Sequence, residues 1–155
     1  MKPPGPFYIS LASPLGFLTV FEDADAVVAV EWGRVDEARP SKLLGDAKRQ
    51  LDAYFDGRLK RFELPLAPAG SRFQRAVWDR MREIPFGEAR TYGDLARSLG
   101  SVARAVGGAC GRNPIPIIIP CHRVIGQGGR LGGYSGGDGA ATKRALLVLE
   151  GYLLA

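Results

Sequence analysis

Short apolar-rich stretches of strand length open the chain: Phe7-Tyr8-Ile9-Ser10-Leu11, Phe17-Leu18-Thr19-Val20-Phe21 and Val27-Val28-Ala29-Val30-Glu31-Trp32. Turn formers separate them at Ser13-Pro14-Leu15-Gly16 and Asp23-Ala24-Asp25, so three strands joined by tight turns are predicted. From Ser41 the spacing becomes helical, with Leu43, Leu44, Ala47, Leu51, Tyr54 and Phe55 on one face and Asp56-Gly57 as the stop. Leu64-Pro65-Leu66-Ala67-Pro68-Ala69-Gly70 then reads as an extended linker, which divides the chain into residues 1–70 and residues 71–155.

The second part is mostly helical in pattern. Ser71 is a natural N-cap for a helix that buries Phe73, Val77, Trp78 and Met81 and ends before Pro85-Phe86-Gly87. Thr91-Tyr92-Gly93-Asp94 has capping-box spacing and opens a short helix through Leu95, Ala96 and Leu99, which Gly100 closes. A further helix over about Val102 to Cys110 follows at once, and the pair suggests a helix-turn-helix. Its core, Ala103-Arg104-Ala105-Val106-Gly107-Gly108-Ala109, carries two interior glycines, each costing about 1 kcal/mol against alanine. Two readings compete for them. A helix stripped of side chains can press its backbone into a DNA minor groove with Arg104 as probe, or it can pack closely on another helix.

Asn113-Pro114-Ile115-Pro116-Ile117-Ile118-Ile119-Pro120 carries too many prolines for a helix and is expected to be an extended, buried segment. It leads into Cys121-His122-Arg123-Val124-Ile125 and then a glycine-dense stretch, Gly126 to Gly137. Leu131 and Tyr134 within that stretch favour an anchored loop, a wing or a pocket wall, over a free linker. A final helix is expected from about Ala140 to Leu153, with Ala145, Leu146, Leu149 and Leu153 facing inward.

Charge sharpens this division. Residues 1–70 hold 9 Lys/Arg against 10 Asp/Glu, whereas residues 71–155 hold 12 against 6. The excess of cations in the second part fits a polyanionic partner, although an ordinary basic surface has the same composition. With 46% hydrophobic and 24% charged residues among 155, the chain suits one ordinary domain or two small lobes, not a disordered segment. No apolar run reaches the roughly 18 residues of a membrane span. The opening Met-Lys-Pro-Pro-Gly-Pro has no apolar stretch behind it to match a secretory signal, and a cytoplasmic location is expected.

Two cysteines, Cys110 and Cys121, are too few for a disulfide framework and are expected to be free thiols. With a single histidine, His122, they cannot make up a four-ligand zinc site, so neither a metal nor another cofactor is expected. Cys121 beside His122 is a candidate nucleophile with its base, since a neighbouring base makes a thiol reactive near neutral pH. On an extended strand the two side chains would point apart, so contact requires a turn at the pair or a bridging water. Glu150 is the best placed carboxylate to orient the imidazole in the manner of a triad. Taken alone, such a pair is also compatible with a buried structural cysteine.

Pro120-Cys121-His122-Arg123-Val124, preceded by Arg104-Ala105-Val106-Gly107-Gly108-Ala109 and Asn113-Pro114, resembles the O6-alkylguanine-DNA alkyltransferase family. Phe73-Gln74, Val77-Trp78, Ile84-Pro85, Gly87 and Thr91-Tyr92-Gly93-Asp94-Leu95-Ala96 fit the same pattern in the same order. The resemblance is dense over residues 71–153 and rests on the plan of strands then helix before that. It implies an α+β fold, with a ribonuclease-H-like first lobe and a mainly helical, winged helix-turn-helix second lobe. It also implies direct-reversal DNA repair, in which O6-alkylguanine in duplex DNA gives its alkyl group irreversibly to the protein in a single-turnover reaction. O4-alkylthymine is a second candidate substrate.

By the same resemblance Cys121 is the alkyl acceptor, His122 its base acting through a water, and Glu150 the partner of His122. Asn113 braces the turn into the active site. Tyr92 and Arg104 rotate the nucleotide out of the duplex and fill the gap. Gly93, Ala103, Gly107 and Gly108 approach the minor groove, with Arg112, Arg123 and Gln127 as further DNA contacts. Tyr134 and Ser135 close over the guanine, with Pro116, Gly132 and Val124 on the pocket wall. A monomer is expected, with cooperative loading on DNA as an added candidate.

Departures from the family pattern are few. The extra Cys and His of zinc-containing members are missing, as is the cysteine-rich leading domain of adaptive-response regulators. The interval between Tyr92 and Arg104 is short, which predicts a tight helix-turn-helix turn. Cys110 stands where the pattern does not place cysteine and is a candidate secondary alkylation site or a packing residue. Two rival readings remain: a damage-binding alkyltransferase-like module, against which the presence of Cys121 weighs, and a Cys-His-Glu thiol hydrolase, for which a basic helix-turn-helix has no use.

Overall fold

The computed structural model describes residues 4–155, so Met1, Lys2 and Pro3 of the opening stretch lie outside the described residues. Two compact units divide the chain, Met1–Ala69 and Gly70–Ala155. The fold class is α+β, as the pattern of strands followed by helices predicts.

In the first unit, β1 (Phe7–Ser13), β2 (Gly16–Asp23) and β3 (Ala26–Trp32) form an antiparallel sheet in the order β1-β2-β3. The central strand is covered on both faces, with Leu18, Thr19, Val20, Phe21 and Glu22 all buried. Helix α1 (Lys42–Phe55) packs across β1 and β2 through Leu44, Ala47, Leu51 and Tyr54. Its N-cap Ser41 accepts a hydrogen bond from the Leu44 amide at 3.1 Å and donates to the buried Glu22 carboxylate. The expected linker is more than a connection. Leu66 lies parallel to Val27, the Val27 amide donates to Pro65 O and the Ala67 amide donates to Val27 O, each at 2.9 Å. An edge strand left with unpaired backbone groups is capped in this way.

The second unit is built on three helices, α2 (Arg72–Arg82), α3 (Tyr92–Leu99) and α4 (Ala103–Gly111). Both α2 and α3 start with a complete capping box, Ser71 with Gln74 and Thr91 with Asp94. Gly100 closes α3 in the left-handed conformation (φ 62°), which lets the chain re-enter a helix three residues later, at Ala103. That tight turn makes α3 and α4 the expected helix-turn-helix. Trp78 fixes α2 against α4 by donating its indole N–H to Ala109 O at 2.9 Å. Phe73, expected in the core, is instead exposed: Val77, Trp78 and Met81 alone define the buried stripe of α2.

The structure departs from the sequence pattern at two other places. The proline-rich segment is buried but not extended, because Ile117 adopts a left-handed backbone (φ 73°) and Pro116 pairs with Ile119 across a turn. The last helix, α5 (Ala140–Leu149), stops earlier than expected, with Glu150 as its C-cap and Gly151 at φ 82° beyond it. Its buried stripe is Thr142, Lys143, Leu146 and Leu147, whereas Ala145 and Leu149 are only half-buried. A parallel pair of short strands, β4 (Arg90–Thr91) and β5 (Val124–Ile125), ties the start of α3 to the residues after Cys121.

Candidate active site

Asn113 organises the approach to Cys121. Its side-chain oxygen accepts from the Ile115 amide at 2.9 Å, and its amide group donates to Ile119 O at 2.8 Å, clamping both ends of the proline-rich turn. Prolines 114, 116 and 120 cannot donate backbone hydrogen bonds, and the Asn113 side chain adds its two bonds to those of the Ile118 amide to Pro116 O and the Ile119 amide to Ile115 O, each at 2.9 Å. Cys121–Arg123 then forms a single 3-10 turn. The extended geometry that would throw Cys121 and His122 to opposite faces is therefore absent.

His122 is wholly buried, and its Nε2 lies 2.7 Å from Glu150 Oε2. Arg123 grips the same carboxylate, Nε to Oε1 at 2.8 Å and Nη2 to Oε2 at 3.0 Å, and donates through Nη1 to Ile84 O at 2.7 Å. Burial opposes the charge on Glu150, but the hydrogen bonds from His122 and Arg123 outweigh it and hold the carboxyl down to about 2. Burial lowers the His122 pKa, so the ring is neutral near pH 7. A neutral imidazole that donates from Nε2 to a carboxylate keeps a lone pair on Nδ1. That Nδ1 is buried and has no hydrogen-bond partner among the described residues.

Arg123, expected on DNA, is thus committed to Glu150 and is only 6% exposed. Val124, expected on the pocket wall, is fully buried, and its carbonyl accepts from Lys143 Nζ at 2.6 Å. These two positions are corrected on the same ground: their side chains have no free surface to offer a ligand.

Cys121 opens on a cavity of about 500 Å³ lined by Tyr92, Gly107, Cys110, Gly111, Gly133, Tyr134 and Ser135. Burial pushes the Cys121 thiol up, while a hydrogen bond from Asn113 and the Lys143 charge pull it back. Tyr92 is raised to about 12 by burial first and then by the two thiols, so its hydroxyl stays protonated. The Tyr134 hydroxyl is buried without a partner among the described residues, and burial raises its pKa as well. Ser135 donates to Gly111 O at 3.3 Å, joining the glycine-rich loop to the end of α4. Gly132 backs onto Tyr92, where a Cβ would sit 3.1 Å from the hydroxyl oxygen. Pro116, half-buried in the turn, is not among the lining residues.

Lys143 escaped the sequence reading. It is fully buried, and its Nζ donates to Val124 O at 2.6 Å, Tyr92 Oη at 3.3 Å and Gly133 O at 3.4 Å. A signal existed: Lys143, Leu146, Leu147 and Glu150 are spaced i, i+3, i+4, i+7, which puts the lysine on the inward stripe.

The other expected DNA contacts lie at the surface. Ala103, Arg104, Gly108, Arg112 and Gln127 are exposed, while Tyr92, Gly93 and Gly107 are half-buried. A Cβ at Gly108 would meet nothing within 4 Å, and one at Gly107 only the Tyr92 ring edge at 4.0 Å. Close packing against another helix is therefore not why these glycines are there.

Fold and site together define a helix-turn-helix protein with a buried thiol in a cavity at the end of its second helix and a buried His-Glu pair that begins at the next residue. The family model described as 6-O-methylguanine DNA methyltransferase, DNA binding domain, matches residues 72–152, and the one described as 6-O-methylguanine DNA methyltransferase, ribonuclease-like domain, matches residues 7–68. The chain belongs to the 6-O-methylguanine DNA methyltransferase family. It is 43% identical to the methylated-DNA–protein-cysteine methyltransferase of Methanosarcina acetivorans, over 94% of this chain and 98% of that protein. Against the constitutive enzyme of that name from Bacillus subtilis it is 41% identical over 93% and 94% of the two chains. The crystal structure of Mycobacterium tuberculosis OGT in complex with DNA superposes with a TM-score of 0.84 at 42% identity, covering 93% of this chain and 92% of that one.

Proposed function

We propose that this protein repairs O6-alkylguanine in duplex DNA by taking the alkyl group onto Cys121. The observation that carries the reading is a cavity-lining thiol, Cys121, next in sequence to His122, whose buried Nδ1 has no partner among the described residues and whose Nε2 is held by the Glu150 carboxylate. His122 receives the Cys121 proton through a bridging water, and Glu150 stabilises the imidazolium that results. The thiolate forms its S–C bond as the C–O6 bond breaks, and guanine departs with the electron pair. Tyr92 is suited to give guanine a proton. Lys143 donates to its oxygen, so the phenolic hydrogen is left to point elsewhere.

A base stacked in a duplex is out of reach of a buried thiol, so the nucleotide must be flipped into the cavity. We assign the gap it leaves to Arg104, and close minor-groove approach to the glycine face of α4. The resulting thioether is a poor leaving group that a thiol cannot reduce, so each molecule acts once. The test is Cys121→Ala. The variant should keep its binding to a duplex containing O6-methylguanine and lose transfer altogether. Removal of the methyl group by Cys121→Ala would mean that another residue is the acceptor.

A further inference from the structure

A second thiol faces the space in which the transfer takes place. Cys110, on the inner side of α4, lines the same cavity of about 500 Å³ as Cys121. Both thiols line this one space, and a charge on Cys121 would raise the Cys110 pKa further. The Cys110 S–H donates to Met81 Sδ at 3.5 Å, which turns its hydrogen toward the core and leaves lone pairs for the cavity. Other walls are poor nucleophiles. Gly107, Gly111 and Gly133 present no side chain, and the hydroxyls of Tyr92 and Tyr134 are held protonated by burial.

Resting on the transfer reading above, we propose that Cys110 is a second acceptor for two-carbon haloalkyl lesions, closing an ethylene bridge to Cys121 after O6-(2-haloethyl)guanine has reacted. In the first step Cys121 forms its S–C bond and guanine leaves. The product is a β-halo thioether. Its sulfur displaces halide from the far carbon, giving a three-membered sulfonium ring and a free halide ion. Cys110 sulfur then attacks a ring carbon, the strained C–S bond breaks back to a neutral thioether, and the Cys110 proton passes to water. Two thiols become two thioethers, with no oxidant or reductant required.

Electrostatics favours this order of events. Cys110 is pushed up to about 12, first by burial and then by a charge on Cys121, so it keeps its proton while Cys121 is the attacking thiolate. Alkylation removes the negative charge next to it, and the sulfonium ring replaces that charge with a positive one. An electrophile that would otherwise alkylate water or the flipped-out strand is formed beside a thiol that can take it.

The wild-type protein is mixed separately with duplexes carrying O6-methylguanine and freshly prepared O6-(2-chloroethyl)guanine. Free thiols are then titrated in denaturant, and intact mass and peptides are analysed. The methyl arm should leave one of the two thiols. The chloroethyl arm should leave none, with a net gain of two carbons and two hydrogens, no chlorine, and the Cys110 and Cys121 peptides joined. A remaining free Cys110 thiol, with hydroxyethyl, chloroethyl or DNA attached to Cys121, overturns the bridge while transfer stands. No methyl on Cys121 in the first arm overturns the transfer reading, and the bridge with it.

Discussion

The carboxylate of Glu150 is where most of the site's electrostatics meets. It holds a neutral histidine in the tautomer that leaves Nδ1 open, and it compensates the buried guanidinium of Arg123. Replacing it with a neutral amide strands that guanidinium, and breaking one side of a buried pair costs about 3–5 kcal/mol. The pH dependence has a definite sign. The folded-state pKa of about 2 lies below the ordinary 4.5. The stabilisation from this group is therefore complete above about 4.5 and is lost as pH falls toward 2, amounting to about 3 kcal/mol at one pKa unit per 1.36 kcal/mol. Glu150→Gln should thus be markedly less stable than the parent at pH 7, with the gap closing between pH 4.5 and 2. Urea unfolding across that range tests this. A gap that does not change with pH would contradict the charge account of Glu150. The pairing of His122 with Glu150 was legible from residue types and is seen in the structure, whereas the roles proposed for Cys121, His122 and Glu150 in transfer came from the family resemblance. Lys143 was not legible, because a lysine reads as solvent-facing until its helical phase is counted.

At the scale of elements, periodicity carried the strands, α1, and the helix-turn-helix boundaries, where capping residues and Gly100 punctuate the chain clearly. It did not carry the proline-rich turn. Proline forbids a helix without choosing between an extended path and a turn, and that choice rests on the Asn113 clamp and the left-handed Ile117. Nor could it foresee Arg123, whose charge suggested DNA while its actual partner lies 27 residues away. For α4 the helix taken alone favoured the packing reading and only the neighbouring motif tipped it toward DNA; the structure gives packing no support, since a Cβ would meet nothing within 4 Å at Gly108 and only the Tyr92 ring edge at Gly107. If the exposed Arg104 at the start of this helix fills the stack after flipping, Arg104→Ala should slow reaction on a duplex about tenfold or more, as unstacking costs a few kcal/mol. Reaction with free O6-alkylguanine base should be little affected, and single-turnover rates on the two substrates compare the effects. Equal loss on both would remove Arg104 from the flipping step.

For the whole molecule, the division of labour follows the charge. The first unit is near neutral, and the second has 12 Lys/Arg against 6 Asp/Glu over residues 71–155. Two of those twelve, Arg123 and Lys143, are withdrawn into the site, where they set the ionisation of Glu150 and the hydrogen bonding of Tyr92. Exposed cations such as Arg104, Arg112 and Arg130 remain for phosphate or groove contacts, which hold a duplex without reading its sequence. In the proposed function a small-residue helix lies against DNA with Cys121 near its end, and one transfer per molecule is what that function requires. The most direct measurement is intact-mass analysis and peptide mapping after the protein meets an excess of duplex containing O6-methylguanine. The account predicts a gain of one methylene per molecule, located on Cys121, with no further gain on longer incubation. An unmodified protein that still binds the damaged duplex tightly, or a methyl group found elsewhere, would contradict it.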